Sequence, residues 1–143
     1  MKTVIVPAAA VLLAGLAQAV LAEQSEKERG KELAALEQKM LGVWKGQTPC
    51  AGNFRFRGDG TYELTEYGPA PYDSAGGWKV RWDALPPTLV LTCKTSEVED
   101  EVGKTRETKL IQLDDETLAI KSANADVGRY ARVKKKDAPP KGN

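Results

Sequence analysis

The clearest indication of the fold is the sequence of residues 54–67, Phe-Arg-Phe-Arg-Gly-Asp-Gly-Thr-Tyr-Glu-Leu-Thr-Glu-Tyr. On both sides of the central Gly58-Asp59-Gly60, large apolar residues alternate with polar ones, which is the period of a β-strand with one buried face. Glycine reaches positive φ without steric cost, so this centre is typical of a tight hairpin turn. The stretch therefore predicts an antiparallel hairpin with one face in a core and the other in water.

The same alternation, interrupted by turn residues, recurs along the chain and predicts eight short strands. They are residues 42–48, 53–57, 62–67, 77–82, 88–94, 106–113, 117–122 and 129–134. A long loop with two prolines, residues 68–76, separates the third strand from the fourth. This spacing indicates an all-β fold, a small antiparallel up-and-down barrel or meander of about eight strands. Closure into a barrel would also remove exposed strand edges.

The N-terminus has the features of a secretory signal peptide. Met1-Lys2 precedes an apolar run over residues 4–16, and alanines at 17, 19 and 22 provide small residues for cleavage. The run is shorter than the about 20 apolar residues of a membrane span, so we expect no transmembrane span in the mature chain. These features predict cleavage after Ala22, with Ala19 as the alternative, and a periplasmic or secreted location.

A short helix is predicted between the signal peptide and the first strand. Ser25 and Glu28 have the spacing of a capping box, and apolar residues at helical spacing follow up to Met40. We therefore expect a helix over about residues 26–39. The predicted organisation is a signal peptide (1–22), a helical leader (23–40), a β domain (41–135) and a disordered tail (136–143).

Composition argues against several classes of function. The 21 lysines and arginines nearly balance the 20 aspartates and glutamates, so no strong positive field points to nucleic acid. The chain has no histidine, the commonest general base and metal ligand. No nucleophile–base pair is visible, and the acidic residues lack the spacing of a calcium loop. We therefore expect a protein that is not an enzyme, with no metal site and no cofactor.

The chain has two cysteines, Cys50 and Cys93. Disulfides persist in exported proteins, and strand parity predicts that both side chains point inward. We therefore predict a structural disulfide between them. The alternative, a reactive or metal-binding pair, lacks a CxxC spacing.

Aromatic residues supply the bulk of the predicted interior. Phe56 and Tyr62 lie on the inward face of the first hairpin, and Trp78 and Trp82 alternate with basic residues on a later strand. An eight-stranded barrel is just wide enough to be filled by side chains or to hold one small ligand. Both arrangements remain open from the sequence, and these four residues are the candidate ligand-binding set.

Several motifs together resemble the lipocalin family. Residues 41–46, Leu-Gly-Val-Trp-Lys-Gly, resemble the Gly-x-Trp signature that opens the first lipocalin strand. The continuation through residues 58–62, 77–80, 88–91, 115–118 and 130–133 is similar to exported bacterial lipocalin-like domains. The resemblance implies an up-and-down barrel with an apolar pocket. It also implies a structural pairing of Trp44 with Arg132 of the last strand, a cation–π contact. The predicted strands are shorter than those of ligand-carrying lipocalins.

Two functions follow as hypotheses. The first is a non-enzymatic exported lipocalin-like module that binds a small apolar ligand. The alternative is a protein-interaction or inhibitor module that contacts an envelope protein through the loop at residues 68–76. The size of an internal cavity separates the two, because a ligand carrier needs an apolar space and a filled barrel does not.

Overall fold

The computed structural model describes residues 9–134. One helix, α1 (Ala9–Met40), is followed by eight strands, and the chain divides into two compact units between Ala35 and Leu36. The strands are β1 (Gly42–Gly46), β2 (Ala51–Phe56), β3 (Thr61–Tyr67), β4 (Tyr72–Arg81), β5 (Thr88–Ser96), β6 (Thr105–Leu113), β7 (Thr117–Lys121) and β8 (Val127–Arg132). A 3₁₀ turn, Glu99–Glu101, lies between β5 and β6.

The eight strands form a closed antiparallel barrel in chain order. Each strand pairs with its neighbours in sequence, and β1 also pairs with β8, where Trp44 lies opposite Arg132. Closure leaves no free sheet edge, so every strand has a hydrogen-bonded neighbour on both sides. The all-β barrel predicted from the alternation of apolar and polar residues is confirmed.

The first predicted hairpin is present at β2 and β3. Phe56 lies opposite Tyr62, and the Asp59 carboxylate accepts hydrogen bonds from the Thr61 backbone N–H (3.0 Å) and hydroxyl (2.6 Å). The Thr61 hydroxyl and N–H together lower the pKa of Asp59, because both stabilise the ionised carboxylate. Gly60 has φ +81°, which explains the glycine at this position.

Alternation along the strands fills the barrel interior. In β2 and β3 the buried side chains include Phe54, Phe56, Tyr62 and Leu64, while the residues between them are half-buried or exposed. The largest fully buried side chains of the barrel interior are Met40, Trp44, Phe56, Leu89 and Leu118. In β2 and β3 the period of two therefore identifies the core side chains correctly.

Strand β4 begins five residues earlier than predicted. Tyr72 pairs with Tyr67, so the predicted loop over residues 68–76 is reduced to a tight connection over residues 68–71. The alternation of apolar and polar residues does not reveal the start of β4, because the pairing register shifts within this strand, between Ala75 and Gly76. A Cβ at Gly76 would lie 1.9 Å from the backbone oxygen of Thr92, so glycine is needed at this point, where β4 lies close to the backbone of β5.

The helix also differs from its prediction. Ser25 lies inside α1, so the capping box at this position is wrong. The residues before Ser25 are rich in alanine and leucine, which favour helix, and no proline interrupts the sequence from Ala9 to Met40. The first eight residues of the predicted signal peptide and the predicted disordered tail lie outside the described residues. Among residues 9–134, no helix is long and apolar enough to cross a membrane.

The up-and-down order separates the barrel into two ends. The connections β1–β2, β3–β4, β5–β6 and β7–β8 lie at one end, which we call the open end. The connections β2–β3, β4–β5 and β6–β7 lie at the other, the helix end, because successive antiparallel strands reverse direction. Residues 36–41 lie at the helix end, where Trp82 Nε1 lies 3.5 Å from Glu37 Oε1.

Candidate functional site

The helix end is closed by Trp44. Its side chain is fully buried, and Nε1 donates a hydrogen bond to the Met40 backbone oxygen (2.9 Å). The Arg132 guanidinium carbon lies 4.2 Å from the centre of the Trp44 rings. The pairing implied by the lipocalin resemblance is therefore present, and it plugs this end of the barrel.

Arg132 also binds the end of the helix. Its Nη1 donates to the Leu41 backbone oxygen (2.7 Å), its Nη2 to the Lys39 oxygen, and its Nε to the Asp115 oxygen (2.6 Å). Carbonyl groups at a helix C-terminus have no partners within the helix, and a cation is favoured beside them. Gly42, with φ +120°, leaves room for this guanidinium, since a Cβ there would lie 3.0 Å from Nη1.

The open end contains a cavity of about 230 Å³ that reaches into the barrel. Its base and walls are mainly apolar, and its rim is formed by the connections of the open end. The apolar and aromatic lining residues are Ala51, Phe54, Tyr62, Leu64, Tyr67, Leu91, Ile120 and Tyr130. The polar and charged lining residues include Ser74, Glu101, Lys104, Arg106, Thr108, Ser122 and Asp126.

Aromatic contacts hold one wall of the cavity in place. The rings of Phe54 and Tyr130 meet edge to face with centroids 5.2 Å apart, and the Tyr130 hydroxyl donates to the Ala51 backbone oxygen (3.2 Å). Burial raises the pKa of Tyr130 to about 12, so this phenol stays neutral at physiological pH. This part of the wall is therefore aromatic and uncharged.

One polar side chain on the cavity wall has no partner. Thr108 is 7% exposed, and its hydroxyl is the one buried side-chain polar atom without a hydrogen bond in the described part of the chain. Burying a hydroxyl in this state costs about 1–3 kcal/mol. Native proteins satisfy nearly all such groups with protein atoms or ordered water, so the Thr108 hydroxyl is available to hydrogen-bond a molecule in the cavity, water included.

The cavity mouth carries a cluster of charges. The Glu101 carboxylate binds the Arg106 guanidinium through Oε2 and lies 3.3 Å from Lys104 Nζ through Oε1. Desolvation raises the pKa of Glu101, but the hydrogen bonds from Arg106 and Lys104 outweigh it and the net shift is downward. Arg106 also donates to the Tyr72 hydroxyl (3.3 Å) and lies over the Tyr67 ring, 5.4 Å from its centre.

The predicted disulfide is not present. Cys50 and Cys93 are free, although both border the cavity. Cys93 is buried as predicted and donates to the Thr95 oxygen (3.3 Å), but Cys50 is exposed, so its predicted inward orientation is wrong. Parity fails for Cys50 because β1 ends at Gly46, and Cys50 lies in the following connection with φ +69°.

The structure divides the predicted ligand-binding set between the two ends. Tyr62 lies on the cavity wall, but Phe56, Trp78 and Trp82 do not. Phe56 packs against Trp78 with ring centroids 5.4 Å apart, and Trp78 borders a shallow groove beside residues 37–41 at the helix end. The prediction relied on the size of the aromatic side chains, and Phe56, Trp78 and Trp82 lie toward the helix end instead.

Of the predicted set only Tyr62 lines the cavity, so its other lining residues were missed, and two of these, Thr108 and Arg106, could have been recognised from the sequence. Both lie on the inward face of β6, in the same parity as Leu110. A polar residue at an inward position of a predicted strand is the signal that identifies them, because such positions are normally apolar.

Comparisons with known proteins identify no relative. No family model, curated protein or solved structure matches the chain. In the described residues, no group of three or more His, Cys, Asp or Glu side chains is placed to hold a metal ion. The closed eight-stranded antiparallel barrel is the class of protein that the structure defines.

Proposed function

We propose that this protein is a non-enzymatic, exported, lipocalin-like module whose barrel binds one small, mainly apolar molecule in the open-end cavity. The observation that carries the proposal is the cavity of about 230 Å³ with the unpartnered Thr108 hydroxyl on its wall. Ligand sites are typically apolar concavities with a few polar groups that fix orientation. The signal-peptide features of residues 1–22 support the exported location.

The cavity volume bounds the ligand. An apolar cavity of about 150 Å³ holds benzene, so a volume half as large again suits a molecule of about nine non-hydrogen atoms. Phe54, Leu64 and Ile120 offer it an apolar surface, and Thr108 can donate or accept one hydrogen bond. The ligand class is therefore a compact apolar molecule with one hydroxyl or carbonyl group.

Binding suits this site better than catalysis. At the mouth, the Glu101 carboxylate pairs with Arg106 and Lys104. The rest of the lining includes Leu91, Ile120 and the neutral phenol of Tyr130. The alternative, a partner-binding loop over residues 68–76, would have to act through the shorter connection at residues 68–71, because residues 72–76 belong to β4.

A matched pair of probes tests the proposal. Toluene and benzyl alcohol have the same ring, and the alcohol adds one hydroxyl. We expect both to bind with dissociation constants of about 0.1–1 mM, measured by NMR titration, and to shift the amide signals of Leu91 and Thr108. Absence of binding by both probes at about 10 mM, ten times the upper limit of the expected dissociation constant, would overturn the proposal.

The control variant is Thr108→Val, which keeps the shape of the side chain and removes the hydroxyl. It should weaken benzyl alcohol by about 2- to 12-fold, the value of one hydrogen bond, and leave toluene unchanged within twofold. Equal weakening of both probes would show that Thr108 makes no hydrogen bond to the hydroxyl of benzyl alcohol.

A further inference from the structure

At the cavity mouth, the Glu101 carboxylate forms an ion pair with the Arg106 guanidinium. Glu101 lines the cavity with a side chain that is 18% exposed, and both of its oxygens face basic groups, Arg106 and Lys104. Arg106 is a side chain that commonly binds carboxylates through its planar fork of donors. In this structure the Glu101 carboxylate already binds the Arg106 guanidinium.

Arg106 is held from other directions as well. The Tyr72 hydroxyl accepts a hydrogen bond from its Nη2 (3.3 Å), and the Tyr67 ring lies beneath its guanidinium at 5.4 Å. Desolvation disfavours its charge, but the contacts with Tyr72 and Glu101 outweigh this and raise its pKa. The guanidinium therefore has two aromatic supports that remain when Glu101 is changed.

We propose that Glu101 is a specificity-determining residue that makes the cavity select uncharged ligands over their carboxylate counterparts. By occupying Arg106, it removes the partner that an incoming carboxylate would bind. The inference rests on the proposed function, because it concerns the ligand of the same cavity.

The charge balance of the lining supports this role. Lys104 and Arg106 provide two positive charges, and Glu101 and Asp126 provide two negative ones, so these four groups sum to zero. An anion gains no net attraction at such a mouth, and its desolvation cost is not offset. Replacing Glu101 with glutamine leaves a net charge of +1 and exchanges the ion pair for a weaker neutral hydrogen bond, which an incoming carboxylate can displace from Arg106.

The experiment compares benzyl alcohol with benzoate at pH 7 in three proteins. In the wild type, benzyl alcohol should bind at least about tenfold more tightly than benzoate. In Glu101→Gln, benzoate should gain at least about tenfold, while benzyl alcohol stays within twofold. Glu99→Gln is the matched control, because it makes the same charge change on the same 3₁₀ turn from an exposed residue that does not line the cavity.

The outcomes separate this inference from the proposed function. If benzyl alcohol binds and Glu101→Gln leaves benzoate within twofold of the wild type, the inference is wrong and the cavity still binds a ligand. An equal gain in Glu99→Gln would also refute it, because the effect would then come from net charge. If neither compound binds any of the proteins, the proposed function itself fails. Glu101→Ala replaces the glutamine variant if that variant does not fold, with the same gain expected.

Discussion

Trp44 provides the most stringent test of how the barrel is closed. It is fully buried, its Nε1 donates to the Met40 oxygen at 2.9 Å, and Arg132 lies over its rings at 4.2 Å. Replacement of Trp44 by alanine removes all three interactions and leaves a cavity beneath the helix end. We expect Trp44→Ala to lower the free energy of unfolding by about 3–5 kcal/mol, a large share of the stability of a small domain.

A graded series makes this prediction measurable even if the alanine variant unfolds. Trp44→Phe keeps much of the ring but leaves the Met40 oxygen without its donor, so it should cost about 1–3 kcal/mol. Trp78→Ala is the control, because Trp78 is half-buried and borders the groove at the helix end. It should cost less than Trp44→Ala, since less of its surface is removed from water.

Urea unfolding followed by far-ultraviolet circular dichroism gives the three free energies. The predicted order of destabilisation is Trp44→Ala, then Trp78→Ala or Trp44→Phe. Normal stability in Trp44→Ala, together with unfolding of Trp78→Ala, would refute the account of barrel closure and make the resemblance to lipocalins accidental.

Three further perturbations follow from single contacts. Thr108→Val should raise the free energy of unfolding of the unliganded protein by about 1 kcal/mol, measured in urea, because it removes an unpartnered buried hydroxyl; a loss of stability would contradict this. Gly76→Ala should lower the melting temperature far more than Gly77→Ala, because a Cβ would lie 1.9 Å from a backbone oxygen at Gly76 and 3.7 Å from one at Gly77. Equal effects of the two substitutions would contradict the close approach of β4 and β5 at Gly76. The lowered pKa of Asp59 means that its stabilisation is present above the ordinary value of 3.8 and is lost as pH falls through the folded pKa. The melting temperature of Asp59→Asn should therefore lie below that of the wild type at pH 7 and converge with it in acid; a constant difference would contradict the assignment.

The strands were predictable because their information is local. In residues 54–67 the period of two identifies the inward side chains, and the glycines identify the turn, without reference to the rest of the chain. The pairing of Trp44 with Arg132 was predicted from the resemblance to lipocalins, because no local sequence pattern connects residues 88 positions apart. Where a strand contains a register shift, as β4 does next to Gly76, the alternation breaks and its start is missed.

The cavity was not predictable from the aromatic residues. Its position depends on which connections share an end of the barrel and on how far the side chains fill each end. Trp78 and Trp82 lie near the end that Trp44 closes, while smaller residues such as Ser74 and Thr108 leave space at the other. The orientation of Cys50 depends on the path of a connection, which strand parity does not describe.

The central claim, that a small molecule occupies the open-end cavity, can be tested by locating benzyl alcohol directly. Isotope-filtered NOE spectroscopy on the labelled protein measures which side chains lie within a few ångströms of the ligand ring. The account predicts contacts to the methyl groups of Leu64, Leu91 and Ile120, which line the cavity. Contacts to the Trp78 indole in the groove at the helix end, with none to those three residues, would contradict it.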